Sequence, residues 1–239
     1  MFGLHDIELQ YGGLKVLEHF NLNCDRQQFI CLFGPSGTGK TSILNILAGI
    51  VKPRSGRVAS NSRRLAYVFQ EPRLLPWLTV EENLQLGLYN LGLPSRQRRR
   101  RVVSLLPLLG LAGFGGYYPG QLSGGMKQRV SIGRAFAIEP DLLLLDEPFC
   151  GLDERLKKDM QELLLSLGQW HACTTVMVTH DLKEAVRLSD RIVVVRGRPC
   201  QIVLDLYLEP EQRCKPSYAR QMERILTDAL NPVKLGACM

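Results

Sequence analysis

Eight consecutive residues in this chain have the composition needed to hold a phosphate chain. Gly34-Pro35-Ser36-Gly37-Thr38-Gly39-Lys40-Thr41 fits the spacing G-x-x-x-x-G-K-[ST] in full. Glycines 34, 37 and 39 let the backbone wrap closely enough for successive N–H groups to meet phosphate oxygens. Lys40 supplies an ammonium for the terminal phosphates, and the Thr41 hydroxyl is a ligand for Mg2+. A second constellation is Leu142-Leu143-Leu144-Leu145-Asp146-Glu147-Pro148, an apolar run that delivers two carboxylates to the end of a strand. Asp146 is suited to hold Mg2+, directly or through water. Glu147, one residue further, would point across the pleat toward the terminal phosphate, as general base or water-positioning group. Alone, such a run is commonly a strand entering a solvated turn; the phosphate loop in the same chain gives it chemical meaning.

A third stretch, Leu122-Ser123-Gly124-Gly125-Met126-Lys127-Gln128-Arg129, has a small glycine-rich start followed by a helical pattern. That is another anion-receptive helix N-terminus. One chain cannot easily present two such ends to one nucleotide, whereas two copies facing head to tail can.

These residues need elements to position them. Residues 29–33 (FICLF) read as a strand buried on both faces, and 43–50 place Ile43, Ile46, Leu47 and Ile50 at helical spacing. Strand, glycine turn and helix open a βαβ unit. Residues 5–10 alternate, and Gly12-Gly13 punctuates them. Strand-like runs recur at 142–145, 174–179 and 192–195, separated by helical patterns at 126–138, 156–167 and 182–188; this alternation indicates a parallel sheet covered by helices. Between 71 and about 120 the leucines fall at three- and four-residue intervals among Pro72, Pro76, Pro94 and Pro107, which predicts a small helical insertion with kinked connections. At the end, 217–230 carry Met222, Ile225, Leu226, Ala229 and Leu230 on one face, behind Ser217 as N-cap.

Composition narrows the class. The 239 residues carry a net charge of +7, 45% hydrophobic and 22% charged side chains, ordinary values for a globular chain. No apolar run approaches the ~18–20 residues needed to cross a bilayer. The opening MFGLHDIELQ does not read as a signal peptide. Seven scattered cysteines (24, 31, 150, 173, 200, 214 and 238) without a Cys-x-x-Cys pair suggest neither a disulfide framework nor a zinc site.

On these motifs the sequence resembles the ATP-binding subunits of ABC transporters over nearly its whole length. The resemblance implies an α/β fold of the P-loop NTPase (RecA-like) type. Its mostly parallel sheet core would carry an N-terminal antiparallel β part and an inserted helical subdomain. Residues 1–70 and 126–205 would form the nucleotide-binding core, 71–125 the helical subdomain with the signature motif, and 206–239 a short C-terminal helical extension. It also implies ATP and Mg2+ as ligands. Tyr11 matches the aromatic that stacks on adenine, with Val16 beside it. Together with Gly34, Pro35, Ser36, Gly37, Thr38, Gly39, Lys40, Thr41 and Ser42 they make the ATP-binding set. Ser123, Gly124, Gly125 and Met126 match the signature that reaches the γ-phosphate on the opposite subunit; Met126 stands where many members have Gln. Gln70 matches the glutamine that senses Mg2+ and the attacking water, His180 the histidine on the γ-phosphate, and Asp153 the dimer-contacting loop. Cys150-Gly151 departs from the more usual Gly-Ala before it. Glu147, His180, Lys40 and Gln70 are thereby the expected catalytic set, and Thr41, Gln70 and Asp146 the metal ligands.

The segment Phe69-Gln70-Glu71-Pro72-Arg73-Leu74-Leu75-Pro76-Trp77, with the spacing from Asp153 to Met160-Gln161, resembles importers of nitrate, aliphatic sulfonates, taurine and related small compounds. That implies a second ATP-binding subunit in a homodimer, an integral permease docked on the helical insertion, and a periplasmic solute-binding protein. It also implies a peripheral place on the cytoplasmic face of the bacterial inner membrane. An exporter subunit is the alternative. A DNA-repair type is less suited, because a short span without heptads separates Lys40 from Ser123, and no nucleic-acid partner is expected. A translation-associated protein would carry two cassettes. The run RQRRRR at 96–101 reads as a solvated helix face or as a site of attraction to anionic headgroups.

Overall fold

The alternation at 5–10 belongs to a longer strand. In the computed structural model, which describes residues 2–60, 62–213 and 215–231, the chain opens with β1 (Phe2–Tyr11), β2 (Leu14–Cys24), β3 (Phe29–Phe33) and α1 (Lys40–Leu47). It continues through β4 (Ser55–Ser60), β5 (Leu65–Val68), α2 (Val80–Gln85), α3 (Ser95–Leu108), α4 (Gly124–Ala137), β6 (Leu142–Asp146) and α5 (Glu154–Trp170). Then come β7 (Thr174–Thr179), α6 (Leu182–Leu188), β8 (Arg191–Arg196), β9 (Gln201–Tyr207) and α7 (Pro216–Leu230). Cys214, Cys238 and the end of the 206–239 extension lie outside the described residues. No helix among the described residues is long and apolar enough to cross a membrane.

The chain divides into two compact units, 1–62 with 174–239, and 63–173. In the first, β2-β1-β4 form an antiparallel sheet, while β3 lies between β7 and β8, parallel to both, with β9 antiparallel on β8. Strand β3 is buried apart from its first residue, as a continuous apolar run requires when helices cover both faces. Register sets up the chemistry. Phe33 pairs with Thr179 on one side and with Val194 on the other, so Gly34 and His180 leave their strands at one carboxyl edge, level with Val195 of β8. Helix α1 ends before Ile50, which is exposed, because Gly49 turns left-handed (φ 71°). Helix α7 starts before Ser217: Lys215 is its N-cap and Pro216 its first residue, a place for which proline's fixed φ is suited.

In the second unit β5 and β6 pair in parallel, Val68 opposite Leu145. Gln70 and Glu147 therefore each follow two residues behind that last pair, at one edge. Helix α4 packs against β5 and against α2, α3 and α5. The arginine run lies on α3 and is not uniform. Arg98 donates to the Leu93 carbonyl (2.6 Å) and stacks over the Tyr89 ring at 4.6 Å, and Arg101 bonds the Ala137 carbonyl (3.2 Å) and Glu139. Arg96, Arg99 and Arg100 remain exposed.

Candidate functional site

The phosphate loop is shaped from behind. A Cβ on Gly34 would run into the Val195 carbonyl, one on Gly37 into the Arg198 guanidinium, and one on Gly39 would lie 2.7 Å from Val16 Cγ1. Residues 195 and 198 flank or form the β8–β9 turn. Cys200, which closes that turn, donates its N–H to the Val16 carbonyl at 2.8 Å. Thus three glycines that a phosphate needs on the concave side are also required on the convex side, by neighbours from one hairpin and from β2. Val16 lies against the loop at Gly39, and Tyr11 stands half-exposed at the end of β1.

Lys40 is 4% exposed, and its ammonium donates to the Gly34 and Pro35 carbonyls, both at 2.7 Å. The charge is thereby held inside the curve of the loop. Thr38 Oγ1 donates to the same Pro35 carbonyl (3.0 Å). Pro35, Ser36, Gly37 and Thr41 are exposed, and Thr41 and Ser42 sit in the first turn of α1, where N–H groups point at the loop. His180 is exposed and its backbone is steadied from below. Thr179 Oγ1 donates to the buried Glu184 carboxylate (2.6 Å) and accepts the Asp181 N–H (3.0 Å), and the Asp181 carboxylate caps α6.

In the second unit Asp146 is buried at the end of β6, with the Tyr67 hydroxyl donating to it at 3.4 Å. Burial, and then the Asp146 charge, pushes the Tyr67 phenol well above its ordinary value, so it stays a neutral donor. Strand β6 ends at Asp146. Glu147 adopts a left-handed backbone (φ 44°), so pleat alternation does not set its direction, contrary to the sequence expectation. Such a conformation costs a non-glycine residue ~1–2 kcal/mol and is characteristic of functional turns. The next carbonyl, of Pro148, accepts a 2.6 Å bond from buried Gln128 on α4. Gln70 is exposed beyond β5. The segment after it is tied down by Arg134, also on α4, which donates to the Pro72 and Arg73 carbonyls, both at 3.0 Å. Asn83 holds Leu75, Leu78 and Thr79 of the same segment.

Ser123 is the exposed N-cap of α4, its hydroxyl accepting the Met126 N–H (3.3 Å). Gly125 is buried against Leu156, whose N–H is in turn accepted by Asp153, the N-cap of α5 (2.9 Å). Signature turn and Asp153 loop are thus built together. Gly124 differs: a Cβ there would meet nothing within 4 Å, and its φ is not left-handed. Sequence reading missed Arg198, Gln128 and Arg134, because each acts through a backbone carbonyl distant in sequence, and Glu184, because its role is to accept a bond from the Thr179 hydroxyl beneath His180. Only the glycine positions 34 and 37 hinted that something lies behind the loop.

Of the metal set expected from the sequence, Thr41 lies in the first unit and Gln70 and Asp146 in the second; each carries a hard oxygen donor of the kind Mg2+ takes. Among the described residues no cluster of three or more His, Cys, Asp or Glu could hold a metal.

A strand, a lysine-bearing glycine loop and a helix N-terminus, with a further strand of the chain ending in Asp146, define a P-loop nucleotide-binding protein. The sequence model of the ABC transporter family matches residues 17–150, a span that includes the phosphate loop, the signature turn and the carboxylates. The aliphatic sulfonates import ATP-binding protein SsuB 2 of Pseudomonas syringae pv. tomato is 41% identical over 221 residues, covering 91% of this chain and 93% of that protein. The taurine import ATP-binding protein TauB of Yersinia pestis is 39% identical, covering 89% and 86%. The dimeric structure of MJ0796, a bacterial ABC transporter cassette, superposes with a TM-score of 0.78 at 30% identity, over 87% of this chain and 99% of that one. The chain belongs to the ABC transporter family and is one of its ATPases.

Proposed function

We propose that this chain is the ATPase subunit of an importer for a small solute of the nitrate, sulfonate or taurine type. It works as a head-to-tail pair in which each nucleotide lies between the phosphate loop of one copy and the signature turn of the other. The observation that carries the pairing is Gly124. Among the described residues no atom lies within 4 Å of a Cβ placed there and the backbone angle is not left-handed, so the start of α4 leaves open space that a phosphate of the second copy would fill. Ser123 supports the same reading: its oxygen accepts the helix cap bond, which leaves the O–H to donate to a phosphate oxygen.

In this reading Tyr11 stacks on the base, beside Val16. Residues 34–42 bind the phosphates through loop N–H groups and the α1 N-terminus, with Lys40 neutralising charge on the β- and γ-phosphates. Glu147 orients and deprotonates the attacking water, Gln70 and His180 position it against the γ-phosphate, and Asp153 meets the second copy. Thr41, Asp146 and Gln70 would hold Mg2+, which supplies charge neutralisation at the phosphates when bound. Hydrolysis adds charge between the halves and opens the pair, so nucleotide state becomes mechanical state. The functional division follows residues 1–70 and 126–205 as nucleotide core, 71–125 as permease-docking subdomain and 206–239 as extension. A permease in the inner membrane, fed by a periplasmic binding protein, completes the assembly, with this subunit peripheral on its cytoplasmic face. Names of the relatives support the solute class.

Glu147→Gln should retain ATP binding and accumulate ATP-dependent dimers, read by sedimentation. Unchanged turnover in that variant would contradict the assignment. Affinity capture from membranes, followed by ligand screening of the recovered binding protein, tests the solute.

A further inference from the structure

The turn between β8 and β9 is not part of any nucleotide motif, yet it touches the phosphate loop at its middle. Arg198 Nε donates to the Gly37 carbonyl at 2.5 Å, and the guanidinium fills the space that a Gly37 side chain would need. The peptide between Gly37 and Thr38 is trans, so its carbonyl and its N–H point in opposite directions. Holding the Gly37 oxygen outward therefore turns the Thr38 N–H to the other side of the loop. Lys40 does the same for its neighbours from within, by taking the Gly34 and Pro35 carbonyls. The turn bearing Arg198 is itself anchored, since Cys200 is buried and bonded through its N–H to Val16. Burial pushes the Cys200 thiol up to about 12, so it packs there as a neutral side chain.

We propose that Arg198 is a positioning residue for phosphate binding: it pins the Gly37 carbonyl and thereby preorganises the Thr38 N–H as a phosphate donor. The inference rests on reading 34–42 as the phosphate loop. A donor fixed before the ligand arrives costs no ordering on binding, so loss of the pin shows in affinity.

The test compares wild type with Arg198→Met, Arg198→Lys and Lys40→Ala in the full chain. A fluorescent ADP analogue reports affinity, and amide hydrogen exchange reports loop order. Arg198→Met should weaken ADP about five- to tenfold and speed exchange at Thr38 and Gly39. Arg198→Lys keeps charge without the planar Nε–H and should fall between. Should Arg198→Met also speed exchange throughout β7, the lysine variant decides, with faster exchange confined to the loop as the supporting result. ADP affinity unchanged in Arg198→Met overturns the proposal. Affinity lost with loop exchange unaltered overturns it too, since Arg198 would then act by charge alone. Lys40→Ala separates the levels: ADP binding that survives its loss sinks the parent reading, whereas loss there with no effect of Arg198→Met sinks this inference alone.

Discussion

Two glycine-rich turns of this chain have opposite surroundings. The loop at 34–42 is moulded by its own unit, with Val195, Arg198 and Val16 standing where glycine side chains would be. The turn at 123–126 is moulded on one side only. Gly125 packs on Leu156, whereas Gly124 faces open space. Glycine serves internal packing in the first and external access in the second. On the proposed reading, the phosphate loop is complete within one chain and the signature turn is half of a shared site.

Four variants would break or sharpen that contrast. Lys40→Ala removes the buried ammonium from the first turn and should cost about 100-fold or more in nucleotide affinity, read by fluorescent-nucleotide titration. Gly124→Val should lower ATPase activity by a similar factor through the second turn, yet leave thermal stability within about 0.5 kcal/mol, because a Cβ there meets no described atom within 4 Å. Gly34→Ala should behave in the reverse manner. Its Cβ meets a backbone carbonyl, so folding stability falls by about 1–3 kcal/mol in a denaturant titration. Equal stability losses for Gly34→Ala and Gly124→Val would erase the distinction.

The smallest effect lies away from both turns, at the start of the β5–β6 pair. Burial pushes the Asp141 carboxyl up, but N–H bonds from Arg63 and Arg64 and the Arg64 guanidinium hold it below the ordinary aspartate value. A lowered value means stability present above the unfolded pKa and lost as pH falls through the folded one. Asp141→Asn should cost no more than about 1 kcal/mol at neutral pH, after solvent screening, and nothing in strong acid. Acid titration of both proteins checks it. Neither turn's nucleotide behaviour should change.

Legibility in the sequence followed the range of the interactions. Strand 29–33, strand 174–179 and helix 182–188 were readable to the residue, because buried strands and short capped helices are written in adjacent positions. Strands Leu14–Cys24 and Ser55–Ser60 were not. Register shifts in the β1–β2 pairing, with Asp6 and His19 in left-handed backbone, interrupt the period of two that marks a strand. Glycine and lysine identities announced the phosphate loop, but the hairpin behind it is about 160 positions away and touches it through a carbonyl, which no residue type records. Likewise, Ser217 looked like a cap from its identity, while the proline before it had already started the helix. The arginine run resembled one charged face until Arg98 and Arg101 turned inward onto carbonyls.

The most direct test is the ATPase rate of the isolated chain, with saturating MgATP, measured against its own concentration. If each site needs the signature turn of a second copy, activity per chain rises with concentration and reaches a plateau as pairs saturate. Activity per chain that stays constant at every dilution would contradict the shared site.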